Sequence, residues 1–143
     1  PTALRFREDA TADEPAVSLD GFLEQEEAVS VRIEAGEDVT ALFPHLARVR
    51  LVEVDFPRFR DGRGFSTARM LREAGYTGEI KAVGDVLVDL IFFMRRCGFD
   101  SFAPDKAFDP DDAHAALTRW PEVYQHAADG RVPIWAKRHG AVA

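Results

Sequence analysis

Cysteine is almost absent from this sequence, and its single occurrence, Cys97, excludes two classes of protein. One cysteine forms no intrachain disulfide and supplies too few thiolates for a cysteine-based zinc or iron–sulfur site. Long apolar runs are missing too, because the longest, Leu90–Met94, is far shorter than the roughly 20 residues that span a bilayer. The first twelve residues also lack the apolar core of a signal peptide. We therefore expect a cytoplasmic protein.

Positive charge is scarce as well, since 18 Lys and Arg residues face 25 Asp and Glu, for a net charge of −7. Nucleic acids and anionic membranes are poor partners for such a molecule as a whole, although a local basic patch is compatible with this charge. The four histidines show no metal-ligand spacing. The sequence contains no recognisable motif for binding a metal or a cofactor. Cys97 is expected to be an inert core residue.

The 143 residues suit one compact domain. We divide the chain into an N-terminal leader (residues 1–27), a domain of four βα units (residues 28–130) and a C-terminal tail (residues 131–143). Within the leader, Pro1–Pro15 is polar and is expected to be loosely held. Ser18–Glu26 has the spacing of a short helix.

Four segments have the apolar–polar alternation or the apolar content of strands, namely Ala28–Ala35, Arg50–Phe56, Glu79–Gly84 and Asp100–Ala103. Each is followed by a segment with helical character, namely Asp38–Leu46, Ser66–Ala74, Val86–Cys97 and Asp109–Trp120. Ser66 and Asp85 are predicted N-caps of the second and third helices, which end before Gly75 and Gly98. The order of these elements is four successive strand–helix units.

Successive βα units favour parallel strands joined by right-handed crossovers. Two arrangements are common: an open doubly wound sheet and part of a (βα) barrel. The first two strands carry charge on one face, whereas doubly wound strands are apolar on both. We therefore expect an α/β fold that resembles half of a TIM barrel. Open edge strands and the apolar helix Val86–Cys97 favour a homodimer.

Carboxylates follow the predicted strands at the edge where (βα) folds bind ligands. Asp55, Asp85 and Asp105 lie at or just after strand ends, and they could hold a divalent cation or act as acid/base groups. The alternative is that Asp85 only caps a helix and Asp55 only fixes a loop. Glu53 and Lys81 are further catalytic candidates, although an ion pair between Lys81 and Glu53 or Asp55 is the simpler interpretation.

The segment Arg58–Ser66 (RFRDGRGFS) is the sharpest feature. Its glycines allow close backbone approach, and a helix N-terminus offers free N–H groups to an anion. Arginine adds fork-shaped donors that suit sulfate, phosphate or carboxylate. The segment lacks the endings of a dinucleotide fingerprint and of a P-loop. In the alternative interpretation, its arginines pair with Glu53, Asp55 and Asp61. The predicted anion-binding residues are Arg58, Arg60, Gly62, Arg63, Gly64 and Ser66.

Two runs, VDFPRFRDGRGFSTARMLRE and GEIKAVGDVLVDLIFFMRRCGFDSF, resemble a bacterial domain-of-unknown-function family, DUF934. Its members often carry the label of an oxidoreductase involved in sulfite reduction. The resemblance covers roughly residues 29–124, and Leu90 stands where many relatives have glutamine. The family supplies no established catalytic residues.

The resemblance implies a role in assimilatory sulfite or sulfate reduction, with sulfite reductase as a partner. An electron carrier needs a cofactor, and the sequence contains no motif that would hold one. We therefore expect an accessory protein that binds a partner or a small oxyanion. The alternatives are a (βα)-class enzyme with a metal or acid/base site, and a non-catalytic dimeric interaction module.

Overall fold

The computed structural model describes residues 4–12, 14–58, 62–109, 111–112 and 115. The strands are β1 (Leu4–Arg5), β2 (Val17–Ser18), β3 (Ser30–Ile33), β4 (Leu51–Phe56), β5 (Glu79–Gly84) and β6 (Ser101–Pro104). The α-helices are α1 (Leu19–Glu24), α2 (Gly62–Glu73) and α3 (Ile91–Cys97), with a 3-10 helix at Val39–Arg48 and a 3-10 turn at Val88–Leu90. Most of the predicted helix Asp109–Trp120, and the predicted C-terminal tail, lie outside the described residues.

One six-stranded sheet organises these elements, in the order β1-β6-β5-β4-β3-β2. The strands from β2 to β6 are neighbours in chain order, and each is parallel to the next. β1 lies antiparallel to β6 at one edge. The predictions of an α/β fold and of parallel neighbouring strands are therefore confirmed, and the sheet has two more strands than the four predicted.

Both strands lie within the predicted leader (residues 1–27), and β1 lies in Pro1–Pro15, which we expected to be loosely held. Because β1 pairs with the sheet, that expectation was wrong for the described part of Pro1–Pro15. β1 and β2 lie at opposite edges, so the segment between them connects the two edges of the sheet, and its described residues, 6–12 and 14–16, are hereafter the strap. Arg5 donates to Glu79 at 2.9 Å, and Arg7 donates to Asp100 at 3.1 Å. These partners are 74 and 93 positions away in the chain, so local sequence patterns do not reveal them.

The core lies between one face of the sheet and the helices. Val52, Val54 and Phe56 of β4 are almost completely buried against it, each stabilising the fold by about 1.5–3 kcal/mol. The 3-10 helix and α3 both contact α2, so the three lie side by side. Successive residues of a strand point to opposite faces of the sheet. The residues that alternate with the core positions therefore form the opposite face, and many of them are polar. One registered row across that face contains Arg32, Glu53, Lys81, Ser101 and Arg5.

Helix α2 begins at Gly62, so the prediction that Ser66 caps it was wrong. The Ser66 hydroxyl instead bonds the Gly62 carbonyl one turn earlier, at 3.4 Å. Gly64 permits this early start, because a Cβ there would lie 2.4 Å from the Phe56 ring. The first turn of the helix therefore packs directly on β4, and the glycine serves that contact.

The third helical region begins later than predicted. Val88–Leu90 forms a 3-10 turn without a side-chain cap, and α3 follows from Ile91, so Asp85 is not the N-cap of this helix. Gly98 ends α3 with φ +123°, as the sequence predicted. Phe93 on this helix remains 47% exposed in the single chain. Within the described ranges, no helix has the length and apolar content needed to cross a membrane.

Candidate functional site at the carboxyl edge of the sheet

The parallel register aligns the ends of three neighbouring strands. Phe56 of β4 pairs with Gly84 of β5, which pairs with Pro104 of β6. The backbone N–H of Asp85 donates to the Phe56 carbonyl at 2.7 Å, and that of Asp105 donates to the Gly84 carbonyl at 2.9 Å. Asp55, Asp85 and Asp105 therefore lie along one edge, as the sequence predicted, with Asp85 and Asp105 exposed and Asp55 half-buried.

Arg32 of β3 organises the acidic side chains on the polar face. Its Nη2 donates to the Asp55 carboxylate at 3.0 Å, and its Nε donates to Glu34, also at 3.0 Å. Its Nη1 lies 3.8 Å from the Glu53 carboxylate. One guanidinium thus serves three carboxylates and fixes their positions relative to one another.

The pKa of the Asp55 carboxyl is raised at this edge. Burial raises its pKa, and a hydrogen bond with Glu34 raises it further by favouring the protonated form. The neighbouring Arg32 opposes this shift, whereas the negative charges of Glu34 and Asp105 reinforce it, and the net direction is upward. Asp55 therefore gives up its proton less readily than an isolated aspartate, which makes it the acid/base candidate at this edge.

We predict that carbon-detected NMR titration will give Asp55 a pKa above its ordinary value of 3.8. Replacing Glu34 with glutamine should lower that pKa, because the substitution removes a negative charge. In the unmodified protein, folded Asp55 keeps its proton at pH values between the unfolded and the folded pKa. The free energy of unfolding should therefore fall as pH rises through the folded pKa of Asp55. A pKa below 3.8 in the unmodified protein would show that Arg32 dominates, and would contradict this account.

The absence of a side chain at Gly84 leaves room for the Asp55 carboxyl. A Cβ at Gly84 would lie 2.8 Å from the Asp55 Oδ1 and 2.5 Å from the Phe56 carbonyl oxygen. The residue also has φ +92°, a conformation that favours glycine. The strand end can therefore approach Asp55 this closely only without a side chain at position 84.

Two of the predicted anion-binding arginines lie where β4 leads into α2. Arg58 is exposed just after β4, and among the described residues its side chain forms no ion pair or hydrogen bond. Arg63 lies in the first turn of α2, and its Nη1 would be 3.0 Å from a Cβ at Gly36, in the turn after β3. The guanidinium of Arg63 thus reaches the carboxyl end of the neighbouring strand. Arg60 lies outside the described residues.

The remaining members of the predicted anion loop differ in their roles. Gly62 is exposed with nothing within 4 Å of a Cβ position, so the backbone there is approachable. Gly64 is buried against Phe56, and the Ser66 hydroxyl faces the Gly62 carbonyl. The sequence predicted Gly64 and Ser66 in an anion-binding loop. In the structure both residues lie within α2 and make contacts that support the fold.

Glu53 and Lys81 are directly opposite each other on β4 and β5. Glu53 nevertheless pairs with Arg32, and the side chain of Lys81 forms no ion pair or hydrogen bond with any described residue. The predicted pairing of Lys81 with Glu53 or Asp55 was therefore wrong. The alternative prediction paired the arginines of the Arg58–Ser66 segment with Glu53, Asp55 and Asp61. In the structure Glu53 and Asp55 form ion pairs with Arg32 and not with Arg58, and Asp61 lies outside the described residues.

The described residues contain no cluster of potential metal ligands. Among the residues that the structure describes, no group of three or more His, Cys, Asp or Glu side chains is placed to hold a metal ion. His45 packs its ring edge-on against Phe22 at 6.1 Å. Cys97 is buried, and burial raises the pKa of its thiol, so it is a poor nucleophile.

Comparison with known proteins identifies the family. The family model described as "Bacterial protein of unknown function (DUF934)" matches residues 30–135 of the 143-residue chain. The chain belongs to the DUF934 family. No curated protein and no solved structure matches it. In this DUF934 protein the matched range contains β3 to β6 and the whole carboxyl edge, whereas the strap and α1 precede it.

Three participants in this DUF934 site were not among the predicted site residues: Arg32, Glu34 and Gly84. Arg32 and Glu34 share the polar face of the predicted first strand, and that alternation was a usable signal. Gly84 was predicted only as a strand end. Its contact with Asp55 depends on the register between β4 and β5, which local sequence does not fix.

Proposed function

We propose that this DUF934 protein is an accessory of assimilatory sulfite or sulfate reduction, acting through a small oxyanion or a partner enzyme bound where β4 meets α2. The pathway rests on the sequence resemblance. The observation that carries the site is the placement of Arg58 and Arg63 beside the start of α2, at the carboxyl edge of parallel strands.

The chemistry of this junction suits an oxyanion. The first N–H groups of an α-helix lack intrahelical acceptors and favour negative charge, and α2 has 12 residues. Guanidinium groups donate two parallel hydrogen bonds to the oxygens of sulfite or sulfate. Because Arg32 already compensates Asp55 and Glu53, those carboxylates compete less strongly for Arg58 and Arg63.

Isothermal titration with sulfite, sulfate and phosphate tests the oxyanion. We expect binding that weakens about tenfold or more when Arg58 and Arg63 are both replaced by glutamine, because each loss removes a charge-assisted hydrogen bond. Arg96→Gln, at an exposed arginine of α3, is the matched control and should leave affinity unchanged. Absence of heat with all three anions, or affinity that survives the double substitution, would refute the oxyanion site.

Co-purification tests the partner separately. Tagged protein isolated from a bacterial source grown on sulfate should carry sulfite reductase with it, and the Arg58 and Arg63 double variant should carry less. The Arg96→Gln protein again serves as the control. Recovery of no reductase from sulfate-grown cells would remove this part of the proposal.

We also infer a half-barrel arrangement, cytoplasmic location and a homodimer. Parallel strands in chain order, with the 3-10 helix, α2 and α3 side by side, support the half-barrel. Exposure of Leu87 and Phe93 supports a contact between two copies. Sedimentation at micromolar concentration should show a dimer, and a monomer would contradict it.

A second candidate function is a (βα)-class enzyme with an acid/base or metal site. The raised pKa of Asp55 and the Lys81 ammonium on the same polar face support it. Soaking crystals with magnesium or manganese would test the metal form. An ion bound at Asp55, Asp85 or Asp105 would favour it, and an empty carboxyl edge would count against it.

A further inference from the structure

A cleft of about 510 Å³ lies at the opposite, amino-terminal edge of the sheet. The strap forms one wall. The end of the 3-10 helix and the two residues that lead into β4 form a second wall, and residues 75–79 after α2 form a third. Pockets for small ligands occupy about 300–1,000 Å³, so the cleft has a suitable size. It shares no residue with the carboxyl edge.

Most of the charge around this cleft is internally compensated. Asp9 accepts from both Arg5 and Arg7, and Asp100 accepts from both Arg7 and Arg72. Glu79 accepts from Arg5 and from the Ser101 hydroxyl. The network thus balances three guanidiniums with three carboxylates and has no net charge: Arg5, Arg7, Arg72, Asp9, Glu79 and Asp100.

Among the described residues that line the cleft, Arg50 is the one charged side chain outside that network. It is exposed, and its side chain forms no ion pair or hydrogen bond with any residue in the described ranges. Thr77 and Gly78 also line the cleft, and their backbone N–H groups find no acceptor among the described residues. A guanidinium and two amide donors without acceptors make an environment for an anionic group.

Part of the wall is apolar. Leu46, Ala47 and Val49 line one side, and the Tyr76 residue lines another. An inorganic ion alone would leave this surface uncovered, whereas an apolar body attached to the anion would bury it. We propose that the cleft binds a small organic anion, with a carboxylate or phosphate group at Arg50 and an apolar body against Leu46, Ala47 and Val49.

Titration calorimetry on the full chain tests this site with benzoate and phenyl phosphate, and with benzyl alcohol as the neutral probe. We expect at least one anion to bind and the alcohol to bind about tenfold or more weakly, because it cannot engage the guanidinium. Arg50→Gln should weaken anion binding by about the same factor. Ala47→Trp should also abolish binding, because its ring would fill the exposed end of the apolar wall without changing charge.

Two controls separate this site from the β4–α2 junction. Arg96→Gln and the Arg58 and Arg63 double variant should both retain the affinity of the unmodified protein for the organic anion. Circular dichroism establishes that each variant is folded. No binding of either anion, equal binding of the alcohol, full affinity in Arg50→Gln or Ala47→Trp, or loss of binding in the Arg58 and Arg63 double variant would each overturn the proposal.

Discussion

Replacing Asp100 with alanine is expected to lower the free energy of unfolding by about 3–5 kcal/mol, the usual cost of removing one partner from a buried ion pair. The Asp100 side chain is 3% exposed, and its Oδ2 accepts from Arg72 at 2.6 Å and from Arg7 at 3.1 Å. It also accepts from the Ile80 backbone N–H at 3.2 Å. Without the carboxylate, Arg72 would remain buried, with only backbone carbonyls to compensate its charge.

Urea denaturation followed by circular dichroism measures this loss. Asp111→Ala is the control, because Asp111 is exposed, and such surface substitutions usually change stability by less than about 0.5 kcal/mol. A decrease below about 1 kcal/mol for Asp100→Ala, comparable to a single ordinary hydrogen bond, would show that the strap is not anchored through a buried charge.

Gly84→Ala is expected to destabilise the protein by about 2–5 kcal/mol, from a positive φ and from a steric clash. The added methyl group would lie 2.5 Å from the Phe56 carbonyl oxygen, which is backbone and cannot rotate away. It would also lie 2.8 Å from Asp55 Oδ1, so the carboxyl edge would be displaced together with the loss of stability.

Two other glycines separate these contributions. A Cβ at Gly75 would meet nothing within 4 Å although φ is +97°, so Gly75→Ala should show the backbone cost alone, about 1 kcal/mol. Gly62 has open space and no positive φ, so Gly62→Ala should be nearly neutral. If denaturation shows that Gly84→Ala costs no more than Gly75→Ala, the close approach of Asp55 and Phe56 to Gly84 is contradicted.

The sequence predicted the elements whose hydrophobic pattern is local. The predicted strand Glu79–Gly84 has the observed bounds, and β4 begins one residue after the predicted start at Arg50. The start of α2 was placed four residues late, because the reason for it is Gly64 against Phe56, a contact between different elements. β1 and β2 contain only two residues each, too few for a recognisable alternation.

Some residues of the candidate site could be placed from the local sequence, whereas others depend on contacts between strands. Asp55, Asp85 and Asp105 could be placed at one edge because the ends of parallel strands coincide. The actual partner of Asp55, Arg32, lies on the neighbouring strand, and only the register shows that its guanidinium reaches Asp55, Glu53 and Glu34 together. The anchoring of Arg5 and Arg7 on buried acids likewise depends on where the strap crosses the sheet.

Crystals of the full chain soaked in selenite, an oxyanion with an anomalous signal and the same shape as sulfite, test the central claim most directly. The account predicts a selenium peak within hydrogen-bond distance of the Arg63 guanidinium and the N–H groups that open α2, and no such peak in Arg58 and Arg63 double-variant crystals. An unoccupied junction, or a peak only beside Arg50, would contradict it.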